Sequence, residues 1–452
     1  MKNIIYFIVL SLFSLPSFAA PYLAEPVKEF INSTGTHANA KMTVLVTYHL
    51  SQQPSSSVQI SRAERQRFLV SEVQNQEARV FQQDLKVAPL DKTTLWIVNG
   101  TAVTLTQRQL KIAAQNKNLV SILAFNRAAE IIPSTESVGV LTENYTYGLE
   151  RLQIPELRKQ FPNIDGRGVR VGIIDTGADP NHPDLKDKIK VFKDFIDKKT
   201  VSYDDQGHGT HVAGTIAGGS ESGKSIGVAP AAELIIAKAF NRYGSSSEAA
   251  LVGAMQWVVD PDGNPATDDY PHVVSNSWGL GQGYEKSNPQ DEPFCTALEN
   301  ARKLGVVMVF AAGNSGPSKE SVSLPGACPQ SLTVGATDEK DTVAQFSSRG
   351  PSQWLQDSFI KPDISAPGVN VYSARTGGGY TYKSGTSMAT PHIAGVMALL
   401  INAAPNATIE EREKAILSTA QDFGSKGPDN LYGAGRANAL EGTRYLMRSM
   451  AR

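Results

Sequence analysis

The sequence predicts an α/β protein whose larger part is a parallel sheet covered by helices on both faces, preceded by a smaller α+β section. Three observations carry this. After Gly166-Arg167-Gly168, short unbroken apolar runs alternate with helical stretches, the pattern of strands buried on both faces and joined by crossover helices. Before about Leu141 the order is instead β-α-β-β-α-β, that of a small ferredoxin-like domain. At 452 residues the chain has room for one large domain and a smaller one.

The first 19 residues read as a secretory signal: Lys2, then an apolar run from Ile4 to about Phe13, then Ser17-Phe18-Ala19-Ala20. Cleavage is expected after Ala19, because Pro21 disfavours a cut after Ala20. The run is too short for a comfortable membrane span, and no later run reaches about 18 apolar residues. The expected product is exported, either outside the cell or to a periplasm, with no membrane partner. Lys+Arg of 43 against Asp+Glu of 44 leaves a net charge of -1, which gives no argument for nucleic acid as a partner. Nothing in the composition calls for an oligomer, and a monomer is expected.

Residues 20–141 carry the α+β section. Met42 to Tyr48 alternates like a strand, and Ser61 to Phe81 has apolar residues at helical spacing. Thr94 to Val98 and Ala102 to Leu105 suit a hairpin about Asn99-Gly100. Thr106 to Asn116 reads as a second helix with a Thr cap, and Val120 to Phe125 as a last strand. No catalytic cluster lies here. Ile131 to about Tyr147, with Pro133 and Ser134-Thr135-Glu136-Ser137, reads as an exposed linker open to cutting.

In residues 142–452 the predicted strands are Val169–Ile174, Leu234–Ile236, Val273–Val274, Val306–Phe310 and Leu332–Val334; the helices are His208–Ala217, Ser246–Val259, Phe294–Leu304 and Ala389–Ala404. Sites in such sheets form outside the carboxyl ends of the strands. Asp175 ends the first of these strands, His208 opens a helix among glycines, and Asn314 follows Phe310-Ala311-Ala312-Gly313. Ser387 lies in Ser384-Gly385-Thr386-Ser387-Met388-Ala389, where Gly385 is expected to turn the chain tightly at the start of an apolar helix. Taken alone, Ser387 suits an N-cap as well as a nucleophile. The set decides between them: a serine needs a base within reach, histidine serves, and a buried carboxylate fixes its tautomer. The Asn314 amide and the Ser387 N–H are candidate donors to an oxyanion.

These segments resemble the subtilisin-like serine peptidases (subtilases), whose Asp, His and Ser motifs read here as Ile173-Ile174-Asp175-Thr176-Gly177, His208-Gly209-Thr210-His211 and Gly385-Thr386-Ser387-Met388-Ala389. The resemblance covers about residues 145 to 445, and Asp262-Gly263-Asn264-Pro265 with Asn276-Ser277-Trp278-Gly279 looks most like the bacillopeptidase F branch. It implies a subtilisin-like sheet and a serine endopeptidase acting on polypeptides. The section 20–141 would be a propeptide that assists folding and then blocks the cleft. It further implies that Ser277-Trp278-Gly279 and Gly244-Ser245-Ser246 pair with an extended substrate, with Ala311-Ala312-Gly313 forming the opposite wall of the primary pocket. Self-cutting is expected between about residues 134 and 148.

Other polar residues take plainer roles. His211, one turn after His208, reads as a packed helix residue, and His208 with His211 lacks the spacing of a His-Glu-x-x-His zinc site. His392 is too close to Ser387 to be its base, and Asp363 reads as a structural acceptor. No cofactor is expected for the chemistry. A structural calcium is left open: Asp184 stands where many subtilases place a ligand, yet Lys224 in the completing loop opposes a cation, and Asp260, Asp262, Asp268 and Asp269 are an alternative. Cys295 and Cys328 are the two cysteines. Export permits a bond between them, and it would brace the loops beside the pocket.

Three rivals remain. A silent subtilase-fold binding module would need a broken triad, and none of the four residues is missing. An α/β-hydrolase esterase would carry its acid and base after the serine, where only His392 stands. A kexin-like enzyme would need an acidic residue lining its primary pocket, and none is placed to do so.

Overall fold

The structure is a computed structural model that describes residues 20–33, 40–50, 60–86, 91–132, 134–137, 144–281 and 287–451. The predicted signal segment lies outside the described residues. The amino-terminal section comprises β1 (Tyr22–Leu23), α1 (Glu25–Asn32), β2 (Lys41–Tyr48), α2 (Arg62–Ala78), β3 (Lys92–Leu95), β4 (Gly100–Thr106), α3 (Gln107–Ala113) and β5 (Leu119–Ala124). Its sheet runs β1-β5-β2-β4-β3, so β2 to β5 follow the predicted order, with β1 added parallel to β5. Capping boxes at Ser61/Glu64 and Thr106/Gln109 start α2 and α3.

The hairpin differs from the expectation. Leu95 pairs with Gly100, and Trp96–Val98 form a 3-10 turn that ends at Asn99 with φ 52°. The three residues Trp96, Ile97 and Val98 are buried; they fold inward to meet the larger section instead of extending the strand.

The segment read as an exposed linker is different again. β6 (Ala128–Ile131) and β7 (Thr135–Ser137) are strands paired to the larger section. Ile131 and Ile132 are buried. A Ser/Thr-rich composition permits exposure but does not enforce it once backbone pairing is available.

The larger section contains α4 (Tyr147–Arg151), α5 (Ile154–Gln160), β8 (Arg170–Asp175), β9 (Ile189–Asp194), α6 (His208–Ala217), β10 (Glu233–Lys238), β11 (Ser245–Ser247), α7 (Glu248–Val258), β12 (Val273–Asn276), β13 (Trp278–Gly279), α8 (Pro293–Lys303), β14 (Val307–Ala311) and β15 (Leu332–Thr337). The hairpin β16 (Ser352–Gln353) and β17 (Ser358–Phe359) follows, then β18 (Ile364–Pro367), β19 (Val371–Arg375), β20 (Gly379–Ser384), α9 (Thr386–Ala403), α10 (Ile409–Ser418) and α11 (Ala439–Met450). A seven-stranded sheet runs β18-β15-β14-β12-β8-β10-β9, parallel throughout. The outermost strands, β9 and β18, escape a search for apolar runs: Ile-Lys-Val-Phe-Lys-Asp is half polar and Ile-Ser-Ala-Pro ends in proline.

Successive side chains of the sheet enter two cores. Ile174, Val274, Met308 and Phe310 pack toward α7, α8 and the amino-terminal section. Ile173, Val273, Val307 and Val309 pack toward α6, α9 and α11. The amino-terminal section thus shares one core with the α7–α8 face. Polar contacts fix its position: Asn300 Nδ2 donates to Ile97 O at 2.9 Å and to Asn99 Oδ1 at 3.0 Å.

Candidate active site

The carboxyl edge of the sheet gathers the predicted residues. Asp175 is the last residue of β8 and His208 the first of α6. His208 Nδ1 lies 2.9 Å from Asp175 Oδ1 and 3.0 Å from Oδ2, with both side chains fully buried. Asp175 Oδ1 also accepts from Thr176 N at 2.7 Å. With Nδ1 facing a carboxylate, Nδ1 carries the proton and Nε2 is the acceptor. His208 Nε2 is buried and has no hydrogen-bond partner among the described residues. A buried, unpaired imidazole nitrogen is costly unless something reaches it.

Asp204 and Thr176 aim the histidine. Asp204 Oδ1 accepts from Gln206 N, Gly207 N and Thr176 Oγ1 at 3.1, 2.7 and 2.9 Å; Oδ2 accepts from Thr210 N and Oγ1 at 2.8 and 2.7 Å. A carboxylate at a helix amino end satisfies orphan N–H groups and complements the dipole. Thr176 Oγ1 in turn accepts from Gly209 N at 2.9 Å. A Cβ at Gly209 would stand 2.0 Å from Gly177 O, so glycine is required for α6 to approach the end of β8. The buried Lys238, at the tip of β10, donates to Thr176 O at 2.7 Å, Phe240 O at 3.0 Å and Asp205 Oδ1 at 2.6 Å. Sequence reasoning passed over Asp204, Thr176 and Lys238. The acidic pair Asp204-Asp205, one residue before Gly207-His208, was the available signal for a helix-start anchor.

Ser387 is the second residue of α9, and Gly385 before it has φ 161° and ψ 159°. The expected tight turn at Gly385 is therefore absent; the residue is extended, with its N–H held by Gly368 O at 2.8 Å. Ser277 Oγ donates to Ser387 O at 2.9 Å. Asn314 Oδ1 accepts from Thr386 N and from Thr386 Oγ1, each at 2.9 Å, and Thr386 Oγ1 accepts from Gly313 N at 3.2 Å. This clamp fixes the Asn314 amide with its oxygen toward Thr386, so its NH₂ is the opposite end.

The chain's own residues occupy the cleft. β6 lies antiparallel between β11 and β13, with Glu130 opposite both Ser245 and Gly279 and Ile131 opposite Trp278. Ile131 N donates to Gly244 O at 2.9 Å and Ile132 N to Ser277 O at 3.3 Å. Ser387 Oγ donates to Ile132 O at 3.0 Å and reaches Ser277 O at 3.3 Å. Downstream, β7 pairs with β20, placing Thr135 opposite Ser384. The residue meeting Ser387 is thus Ile132, upstream of the window 134 to 148 expected from composition. Composition marks where an outside protease could reach; strand register selects what lies over the chain's own serine.

Ser277, Gly279 and Gly244, the residues expected to pair with an extended substrate, meet this strand of the chain itself through their backbones. Gly244 has φ 76°, and a Cβ there would stand 2.7 Å from Ile131 Cγ1. Trp278 is divided: its backbone pairs with Ile131, while its ring is fully buried 6.1, 5.9 and 5.1 Å from the rings of Phe240, Phe294 and Phe310. The Trp278 ring is thus a core side chain, in the same apolar cluster as Ala129 and Ile131 of the strand. Ala311 and Gly313 are at the end of β14, and the two walls converge on a serine not anticipated, Ser323. Ser323 N donates to Ala312 O at 3.1 Å, and a Cβ at Gly279 would meet Ser323 Oγ at 2.5 Å. The Cys295 and Cys328 sulfurs are 2.06 Å apart, joining α8 to the segment after Ser323.

The plainer assignments agree with the contacts. His211 Nε2 faces Val371 O at 3.1 Å, and burial pushes its pKa down to about 3. His392 Nδ1 faces Met388 O at 2.8 Å, and burial lowers its pKa to about 4. Asp363 accepts from Thr333 N and Lys361 Nζ, both at 2.7 Å. Asp184 Oδ1 accepts from Glu221 N at 2.8 Å and Oδ2 from Tyr380 OH at 2.9 Å. Carboxylate oxygens of Asp260, Asp262 and Asp269 lie within 4.8 Å of one another, and these residues are engaged with Gln66, Asn264 and Asp262 N–H groups. Among the described residues, no helix is long and apolar enough to cross a membrane.

Residues 166–435 match the subtilase family of peptidases. The chain is 39% identical to the serine protease AprX of Bacillus subtilis over 308 residues, 63% of this chain and 68% of AprX. It is 33% identical to bacillopeptidase F of the same organism over 385 residues, 76% of this chain and 26% of that longer protein. It is 35% identical to subtilisin Savinase of Lederbergia lenta over 302 residues, 67% of this chain and all of that protein. The chain belongs to the subtilase family and is a serine-type endopeptidase.

Proposed function

We propose that this is an exported endopeptidase made as a self-processing precursor, with residues 1–19 as its signal, 20–132 as its propeptide and a peptidase body following. The proposed limit of 132, in place of the 141 expected from the sequence, is supported by the contact of Ser387 Oγ with Ile132 O. Ser387 Oγ attacks a peptide carbonyl carbon while His208 Nε2 takes its proton. Asp175 holds the imidazole and stabilises its charged form. Asn314 Nδ2 and the Ser387 N–H receive the oxyanion. The C–N bond then breaks, His208 passes the proton to the leaving nitrogen, and water releases the acyl group from Ser387 by the reverse path. Nucleophile, base and oxyanion donors all come from side chains and backbone, so no step runs through a cofactor.

The observation that carries this reading is how the two reacting side chains are held. An imidazole anchored at Nδ1 leaves Nε2 buried with no hydrogen-bond partner among the described residues, while the serine hydroxyl rests on the carbonyl of an extended, substrate-like strand. In the precursor that carbonyl belongs to the Ile132–Pro133 bond, whose leaving group is a secondary amine. The substrates are polypeptides that replace β6 between β11 and β13.

A serine-directed fluorophosphonate tests the reading. Matured protein is expected to carry one label on the peptide containing Ser387, and the His208→Ala chain none. Protein that hydrolyses denatured casein while labelling elsewhere, or not at all, would overturn the assignment.

A further inference from the structure

Arg127 lies five residues upstream of Ile132 and ends in a pair of carboxylates. Its Nε and Nη2 donate to Glu248 Oε1 at 3.0 and 2.5 Å, and its Nη1 and Nη2 donate to Glu292 Oε2 and Oε1 at 3.0 and 2.7 Å. The guanidinium stands 5.6 Å from the centre of the Phe294 ring. Glu248 and Glu292 are only 2% and 8% exposed, and both belong to the peptidase body, at the starts of α7 and α8. We propose that Glu248 and Glu292 form a subsite for a cationic side chain, so that the processed enzyme favours polypeptides carrying arginine five residues before the residue that meets Ser387. The proposal rests on the reading of the cleft given above.

Two features make this a property of the cleft and not of the propeptide alone. First, Glu248 N donates to Arg127 O at 3.0 Å, and Arg127 N donates to Glu248 Oε2 at 3.3 Å. The first of these continues the β6–β11 ladder by one residue, so any chain that pairs with β11 in this register brings its corresponding residue to the same place, where the Glu248 carboxylate also meets its N–H. Second, Arg127 departs with the propeptide once the chain is cut after Ile132. The two carboxylates that one guanidinium bridges in the full chain are then left side by side without a cation, and their mutual repulsion favours the return of one. With Arg127 in place, burial first and the Glu292 charge second hold the Glu248 carboxyl above its ordinary range, against the lowering effect of Arg127. The planar fork donates to both carboxylates and faces a ring, which favours arginine over lysine.

The experiment uses enzyme matured from the full chain and two longer peptides that differ only at this position, arginine in one and citrulline in the other, with a tetrapeptide substrate too short to reach it. Citrulline keeps the shape of arginine and removes its charge. The expected result is a kcat/KM higher by about tenfold or more for the arginine peptide. The preference should fall close to unity in Glu248→Gln or Glu292→Gln enzyme. Equal cleavage of both peptides by the unaltered enzyme, with the tetrapeptide still cut, would overturn this inference and leave the peptidase reading intact. An enzyme that cuts none of the three would sink both. The comparison in unaltered enzyme does not depend on any variant folding.

Discussion

Removing the Asp204 carboxylate should both weaken the fold and misplace the base. Asp204 is 6% exposed and accepts from two hydroxyls and three backbone N–H groups that join the end of β8 to the first turn of α6. An unsatisfied buried donor costs about 1–3 kcal/mol. The Thr176 and Thr210 hydroxyls can rotate to other acceptors, whereas the N–H groups of Gly207 and Thr210 are fixed, so Asp204→Ala should cost about 3–5 kcal/mol. Asp204→Asn keeps the volume but turns an NH₂ toward groups that also donate, for an expected loss of about 2–3 kcal/mol. The measurement is urea unfolding followed by tryptophan fluorescence, in a Ser387→Ala background to prevent self-digestion. In the active background kcat should fall by about a hundredfold, the usual consequence of a shift of ~1 Å in a catalytic group. If Asp204→Ala unfolds within about 1 kcal/mol of its parent and keeps its kcat, the carboxylate does not position His208 and the account of α6 fails.

The buried His211 predicts a pH dependence. Its folded pKa of about 3 lies below the unfolded value near 6.5, so the unfolded chain binds the extra proton. The stability it contributes is present above about pH 6.5 and is lost as pH falls toward 3; a urea midpoint in the Ser387→Ala chain that drops across this range, less steeply in His211→Gln, is the expected observation, and identical slopes would contradict it. Denatured, unreduced protein should show no free thiols, and Cys295→Ala/Cys328→Ala should cost about 3–4 kcal/mol for a loop of this length; two titratable thiols would remove the disulfide. Asn314→Ala should lower kcat about 10²–10³-fold with little change in KM; an equal change confined to KM would assign the amide to ground-state binding.

The candidate catalytic residues were legible because each sits in a local pattern with a local cause. Asp175 ends an apolar strand, His208 opens a glycine-flanked helix, and Ser387 begins a long apolar one. Chain order and the rule for parallel sheets then bring them to one edge. What escaped was set by contacts between distant segments. Trp96–Val98 have strand-forming residues, yet they turn inward because α7 and α8 offer them apolar cover. Ile131 and Ile132 sit in a Ser/Thr-rich surround that reads as exposed, yet β11 and β13 present unpaired edges that take them in. Ser323 has no signal of its own, since its role comes from lying between Gly279 and Ala312. The acidic partners of Arg127 are more than a hundred residues away along the chain, beyond any motif search.

The central claim is that Ser387 cuts its own chain at the carbonyl it touches. Intact masses of the purified full chain, followed over time beside Ser387→Ala, test it most directly. The account predicts that the unaltered chain yields a fragment beginning at Pro133 while Ser387→Ala stays whole, and that Pro133→Ala, with a better leaving amine, is processed faster. A first fragment beginning well downstream of Pro133, or a Ser387→Ala chain shortened at the same rate, would contradict it.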